Sequence, residues 1–226
     1  MKVAVVTPYY KESPEVLARC IDSVKIQNHP DVFHVLVADG HPSVLTDHTI
    51  VTPPCSDSGD TPRLMGAGYA AAKGADAILL LDADCWIDPD HITKMLEAQK
   101  LLGAGMVTCP RKVYDKFTLE YFGVDTESDG VNFCDTNCIL VMSRYFKVFA
   151  SWGFKSLGKG LIGDRFFWEA CLHSGAAIAR TTDTMSNYPS DFVCHYEMFG
   201  RPTPDEAKVI EWDGEKFVHI RWKDKK

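Results

Sequence analysis

Three short apolar runs, each stopping at polar or acidic residues, constrain the fold of this chain more than any other feature. Residues 3–6 stop at Thr7-Pro8, residues 32–38 at Asp39-Gly40, and residues 77–81 at Asp82-Ala83-Asp84. Continuous apolar runs of this length, bounded by turn residues, read as strands buried on both faces. Between the first two, Ser13-Pro14 pairs a helix-capping side chain with a proline suited to the first helical position. Val16, Leu17, Cys20, Ile21 and Val24 then recur at helical spacing. Strand, helix, strand in this order predicts a parallel sheet with a right-handed crossover, hence an α/β fold. In open sheets of that kind, ligands bind beyond the carboxyl ends of the strands. The three polar stops lie there.

The remaining pattern is less regular. Residues 41–62, rich in Pro, Ser, Thr and Asp, predict a long surface loop, and residues 66–73 a helix. Gly66-Ala67-Gly68 only partly matches a dinucleotide-binding fingerprint, because the third glycine is missing and no strand feeds it. A helix is expected from Asp88-Pro89 through Gln99, stopped by Gly103. A strand is expected at 106–109, one or two at 131–142, and a helix from Ser143 to about Trp152. Four glycines and two lysines in 153–163 suggest a mobile loop, followed by a helix over 165–173, a strand over 176–179 and a hairpin over 210–222.

Composition narrows the function classes. The 226 residues carry 24 Lys and Arg against 31 Asp and Glu, a net charge of −7. Non-specific nucleic-acid binding rests on neutralising phosphates, so an acidic chain is a poor candidate for it. No stretch approaches the roughly 20 apolar residues of a membrane-spanning helix. The first apolar run is also too short for a secretory core, so a cytoplasmic location is expected. The eight cysteines form no CxxC pair and read as reduced thiols of the interior.

Asp82 and Asp84 are the sharpest chemical signal. Two carboxylates one residue apart, just past a buried strand, suit a hard cation such as Mg²⁺ or Mn²⁺. A polar turn is the plainer alternative, although Asp88 already serves as the expected helix cap. A strand ending in Asp-x-Asp also suits a phosphatase of the haloacid dehalogenase type, with Asp82 as nucleophile. That pattern continues with Gly-Thr, whereas Cys85-Trp86 stands here.

Four motifs in order resemble a family 2 glycosyltransferase of GT-A fold. Val5-Val6-Thr7-Pro8-Tyr9-Tyr10 is similar to the first strand and nucleotide-binding turn of that family. Val37-Ala38-Asp39-Gly40 resembles the second strand's end, Leu79 to Asp84 the DxD motif, and Gly163-Asp164 the acceptor-side motif. The resemblance implies a single GT-A domain over 1–226, with a Rossmann-like, mixed but mainly parallel sheet flanked by helices. Residues 1–109 would form the nucleotide-sugar half, 110–180 the acceptor half, and 181–226 a lid and hairpin.

Carried onto this sequence, the resemblance places Thr7, Pro8, Tyr9, Asp39, Arg63, Asp82 and Ala83 around a nucleotide-diphospho-sugar, expected to be UDP-linked. Asp84, with Asp82, would bind Mn²⁺ or Mg²⁺, and His195 is a candidate third ligand. His195 also suits a hydrogen-bonded interior histidine. Asp164 is the candidate general base, drawing the proton from an acceptor hydroxyl of a glycan or glycoconjugate, with inversion implied by the family. It equally suits the N-cap of the following helix. The family has Glu before that Asp; this chain has Gly163. Trp152, Phe154, Trp168 and Tyr188 are candidates for sugar stacking or for the core, and Lys155 and Lys159 for closing over a diphosphate. A non-catalytic module of the same fold is the third reading, beside the transferase and the phosphatase.

Overall fold

The computed structural model describes residues 1–154 and 162–225. Lys155 and Lys159 therefore lie outside the described residues. In chain order the first half runs β1 (Val3–Tyr9), α1 (Pro14–Lys25), β2 (Val32–Asp39), β3 (Thr49–Thr52), α2 (Asp60–Ala72), β4 (Ala77–Leu80), β5 (Trp86–Ile87) and α3 (His91–Leu102). The second half runs β6 (Met106–Thr108), β7 (Arg111–Asp115), β8 (Tyr121–Val124), β9 (Ile139–Met142), α4 (Gly163–Leu172), β10 (Ile178–Arg180), β11 (Ser186–Ser190), α5 (Val193–Met198), β12 (Lys208–Trp212) and β13 (Phe217–Arg221).

The apolar runs become the centre of a seven-stranded sheet in the order β10-β6-β9-β4-β1-β2-β3. β1 and β4 are buried at every position, as continuous apolar strands require. β1 pairs in parallel with both β2 and β4, and β9 alone runs antiparallel to its neighbours β4 and β6. The expected mixed, mainly parallel sheet flanked by helices is what forms. Ser13 caps α1 by accepting the Val16 N–H, and the helix buries Leu17, Cys20, Ile21 and Val24. α2 lies against the same sheet through Gly66. A Cβ there would stand 2.3 Å from Val6 Cγ1 and 2.9 Å from Val37 Cγ2. The glycine is a helix-to-sheet contact, not part of a dinucleotide fingerprint.

A second sheet, in the order β5-β11-β7-β8, and the β12–β13 hairpin complete the described elements. Several expectations change here. The 41–62 loop is interrupted by β3, which extends the main sheet in parallel beside β2, and α2 already starts at Asp60. Of residues 131–142 only Ile139–Met142 is a strand. Upstream, the Asp129 carboxylate accepts the N–H groups of Val131, Asn132 and Phe133. The Asp135 carboxylate accepts that of Asn137. These local bonds take donors a ladder would need. Residues 143–153 form a 3₁₀ run, not an α-helix, and its Phe149 and Trp152 stack on Phe167 of α4. α3 starts after Asp90 and ends at Gly103, whose φ of 61° suits glycine.

Candidate active site

The carboxyl ends of β1, β2 and β4 open into a cavity of about 570 Å³. Pro8 and Tyr9 come from β1, Asp39 from β2, Arg63 from α2, and Asp82, Ala83 and Asp84 from the turn after β4. The wall opposite comes from other elements: Lys116 after β7, Tyr188 on β11, Asp191, and Lys208 and His219 of the hairpin. A second cavity of about 290 Å³ adjoins it, sharing Ser58, Arg63, Asp82, Tyr188, Phe192 and His219. Its further lining includes Arg111, Asp135, Trp152, Asp164 and His195. Two connected chambers thus meet at Arg63 and Asp82.

The sequence-expected residues divide accordingly. Pro8, Tyr9, Asp39, Arg63, Asp82, Ala83 and Asp84 line the first chamber, and Asp164 the second. Thr7 does not line either. It is fully buried, and its hydroxyl bonds His34 Nε2 at 2.8 Å. Depth along the strand explains the difference: Thr7 shares a face with Tyr9 but lies two residues further from the carboxyl end of β1, inside the core. Tyr9 is anchored by its hydroxyl donating to the Val44 carbonyl (2.8 Å), and Asp39 Oδ1 accepts the Cys55 N–H (2.7 Å). Of the aromatic candidates, Tyr188 and Trp152 reach the chambers. Trp168 belongs to the core, and Phe154 is exposed.

Asp82 is held from two sides. Arg63 Nη2 meets its Oδ1 at 2.5 Å, and the Asn137 amide donates to Oδ2 at 3.0 Å. Burial alone would raise the Asp82 carboxyl. The Arg63 charge and the Asn137 bond outweigh it and hold the group below its ordinary value. Arg63 is fixed in turn by the Ser58 carbonyl (3.0 Å) and by stacking over Trp152, 5.1 Å from the ring centre. Asp84 has a different partner: Lys116 Nζ lies 2.9 Å from its Oδ2.

Asp164 is the second residue of α4 and not its cap, the position before the helix being Ile162. Its Oδ1 accepts the Arg165 N–H at 2.8 Å. A carboxylate in a first helical turn is favoured by the helix dipole. Burial and the neighbouring Asp135 act the other way, and burial dominates. The Asp164 carboxyl is pushed up to about 6.

Beneath the second chamber, Arg111 joins Asp125 (2.7 Å) and Asp135 (2.5 Å) and stacks over Tyr188 at 4.0 Å. His195 completes this network. Its Nδ1 lies 2.6 Å from Ser190 Oγ, and its Nε2 is 3.5 Å from Arg111 Nη2 and 3.8 Å from Asp125. The expected set of Asp82, Asp84 and His195 is therefore not assembled. Among the described residues, no three His, Cys, Asp or Glu side chains gather in a metal-holding group. Arg63 and Lys116 hold the two carboxylates, and Arg111 flanks the imidazole. What does suit a hard cation is Asp84. It is a carboxylate on the chamber wall whose Oδ1 lies 3.7 Å from the Cys85 thiol.

Lys116, Asn137, Arg111, Asp135, Asp191, Lys208 and His219 were not expected in the site. Lys116 and Arg111 flank the polar strand β7, and Asn137 sits in the 3₁₀ turn read as strand. Neither segment has an apolar period to betray its position. Six of the cysteines are buried, and all eight are free thiols. No helix among the described residues is long and apolar enough to cross a membrane.

Comparison with known proteins gives a family segment and a fold. The family model described as glycosyl transferase family 2 matches residues 63–166, a span containing Arg63, Asp82, Asp84 and Asp164. No curated protein matches the chain. Among solved structures, TarS of S. aureus is 14% identical with a TM-score of 0.62, over 87% of this chain and 38% of that one. TarS 1–349 in complex with UDP is 16% identical with a TM-score of 0.66, over 84% and 60%. The complex with UDP-GlcNAc gives 14% and 0.61, over 84% and 59%. The chain thus spans between 38% and 60% of the length of these structures. Its segment 63–166 is thus similar to the glycosyl transferase family 2 model, and its fold is that of the TarS structures.

Proposed function

We propose that the chain moves a sugar from a UDP-linked donor to an acceptor hydroxyl of a glycan or glycoconjugate, with inversion at the anomeric carbon. The observation that carries this reading is the pair of connected chambers. The first is walled by Asp39, Arg63, Asp82 and Asp84, and the second contains an acid of raised pKa, Asp164. The TarS complexes with UDP and UDP-GlcNAc support the donor class.

In this reading Tyr9 and Asp39 hold the nucleoside end, and Arg63 and Lys116 face the diphosphate. Asp84 would hold Mn²⁺ or Mg²⁺, which would supply Lewis-acid charge at the diphosphate. Asp164 takes the acceptor hydroxyl proton as that oxygen bonds the anomeric carbon, and the bond from carbon to the diphosphate oxygen breaks. The aspartyl-phosphatase reading is less well supported, because both Asp82 oxygens are committed to Arg63 and Asn137. The raised Asp164 favours an enzyme over a silent binding module, despite Gly163 in place of Glu.

The test is a panel of UDP- and GDP-sugars, with and without Mn²⁺, read by donor hydrolysis and by calorimetric binding of UDP. UDP binding with hydrolysis of a UDP-sugar is expected. A protein that binds no UDP and hydrolyses no donor overturns the proposal.

A further inference from the structure

Lys116, just after β7, reaches across the cavity to Asp84 in the turn after β4. Its backbone is fixed. The Lys116 N–H donates to the Ser190 carbonyl at 3.0 Å. The turn it opens is closed by Asp115, whose Oδ1 accepts the N–H groups of Phe117 (2.7 Å) and Thr118 (3.0 Å). Asp115 Oδ2 is itself pinned by the Tyr196 hydroxyl at 3.0 Å. Asp84 is equally fixed on its side, its carbonyl accepting from Arg19 Nη2 at 2.9 Å. Two hydrogen-bonded backbone segments therefore face each other, and the lysine side chain spans them. That side chain is 38% exposed and the Asp84 side chain 29%, so solvent reaches the pair. A solvent-reached pair of one flexible ammonium and one carboxylate is held weakly and opens easily.

The Lys116 ammonium occupies the same carboxylate that a divalent cation needs. We propose that Lys116 is an exchangeable counter-ion: it neutralises Asp84 in the empty enzyme, then transfers its ammonium to the diphosphate when donor and cation arrive together. This rests on the functional reading above and adds a residue to it. Nothing in the exchange alters covalent bonds. Lys116 leaves one anion for another, so its ammonium has a partner before and after the exchange. A compact ammonium on a four-carbon stem suits this movement; a planar guanidinium such as Arg63, stacked and doubly bonded, does not. The exchange also orders binding, because free metal must compete with Lys116 whereas the metal–diphosphate complex gives the lysine a new partner.

The test measures two affinities in the full chain. Mn²⁺ alone is titrated by electron paramagnetic resonance, and UDP in saturating Mn²⁺ by calorimetry, for wild type, Lys116→Met, Lys116→Arg and Asp84→Asn. The two effects of Lys116→Met are expected to have opposite signs. Mn²⁺ alone should bind roughly two- to fivefold tighter, since the competing pair is of modest strength. UDP should bind about fivefold weaker or more, since a charge-assisted contact is lost. Lys116→Arg keeps the charge and should return both values toward wild type, and Asp84→Asn should abolish Mn²⁺ binding. A merely structural lysine would weaken both affinities together, and that result overturns the proposal, as does unchanged Mn²⁺ affinity in Lys116→Met. The nucleotide-free titration separates this from the functional reading. If wild type binds no UDP, the functional reading fails, while tighter Mn²⁺ binding in Lys116→Met still supports the competition at Asp84.

Discussion

Asn137 grips Asp82 at both ends of the residue: its amide oxygen accepts the Asp82 backbone N–H at 2.5 Å, and its amide nitrogen donates to Oδ2 at 3.0 Å. The same nitrogen also donates to Asp135 Oδ1 at 2.7 Å. Asp135 in turn meets Arg111. One fully buried amide therefore links the floor of the first chamber to the ion network under the second. Asn137→Ala leaves the Asp82 N–H and one Asp82 oxygen without this partner, a loss of about 1–3 kcal/mol for buried polar groups. We expect lower stability to urea and a UDP affinity weaker by roughly tenfold. The Asp82 carboxyl should also move up. Calorimetry on the folded fraction separates the two effects, and wild-type UDP affinity would remove Asn137 from the donor site.

Arg63 performs three tasks with one planar group: it pairs with Asp82, donates to the Ser58 carbonyl and stacks on Trp152. A lysine reproduces the charge but not the fork or the plane. Arg63→Lys should therefore lose UDP affinity nearly as fully as Arg63→Met. Both should lower stability by about 1–3 kcal/mol, since a mostly buried carboxylate loses its main partner. Retention of wild-type UDP binding by Arg63→Met is the outcome that contradicts this.

Gly66 and Gly68 lie two residues apart on α2 and should respond oppositely to alanine. At Gly66 the added carbon meets Val6 at 2.3 Å, so helix and sheet must separate. Overpacking of that kind costs about 1–3 kcal/mol. At Gly68 nothing lies within 4 Å of the added carbon. There the helix should gain up to about 1 kcal/mol from reduced backbone freedom. Thermal melts of the two variants decide it; equal shifts would contradict the close contact of α2 with β1.

The sequence made the parallel half of the molecule readable because its strands are buried on both faces and written as apolar runs. The polar stops after β1, β2 and β4 then located the first chamber without further information. β7 (Arg-Lys-Val-Tyr-Asp) and β11 (Ser-Asn-Tyr-Pro-Ser) carry no such signature. Their pairing is decided by contact with each other and with β5 and β8, partners distant in sequence. Lys116 and Arg111 depend on that second sheet, so their arrival at the site could not be inferred from local pattern. Thr7 shows the complementary limit. The right motif was found, but which of its side chains reach the chamber is set by depth along β1, and Thr7, two residues below Tyr9, bonds His34 instead. His195 was placed near the site for a role that its bonds to the Ser190–Arg111–Asp125 network do not display.

Asp164 gives the protein a pH signature that can be read in two independent ways. Its carboxyl lies at about 6 in the folded chain, against an ordinary value of 3.8, chiefly because burial disfavours the charged form. A general base must be deprotonated, so kcat/KM should fall about tenfold per pH unit below that value. The stability effect has the opposite sense. With its folded value raised, the native state binds the extra proton between pH 3.8 and about 6. The group therefore adds no penalty below that window, costs progressively more as pH rises through it, and costs most above it. Asp164→Asn removes the penalty. The variant should be more stable than wild type at pH 7 by on the order of 2 kcal/mol and no more stable at pH 3.5. It should also bind UDP normally and lose transfer, together with the acid limb of the rate profile. Urea melts at the two pH values check the linkage, and the pH–rate profile checks the base. Full transfer by Asp164→Asn would exclude the residue as base even if the melts behave as expected.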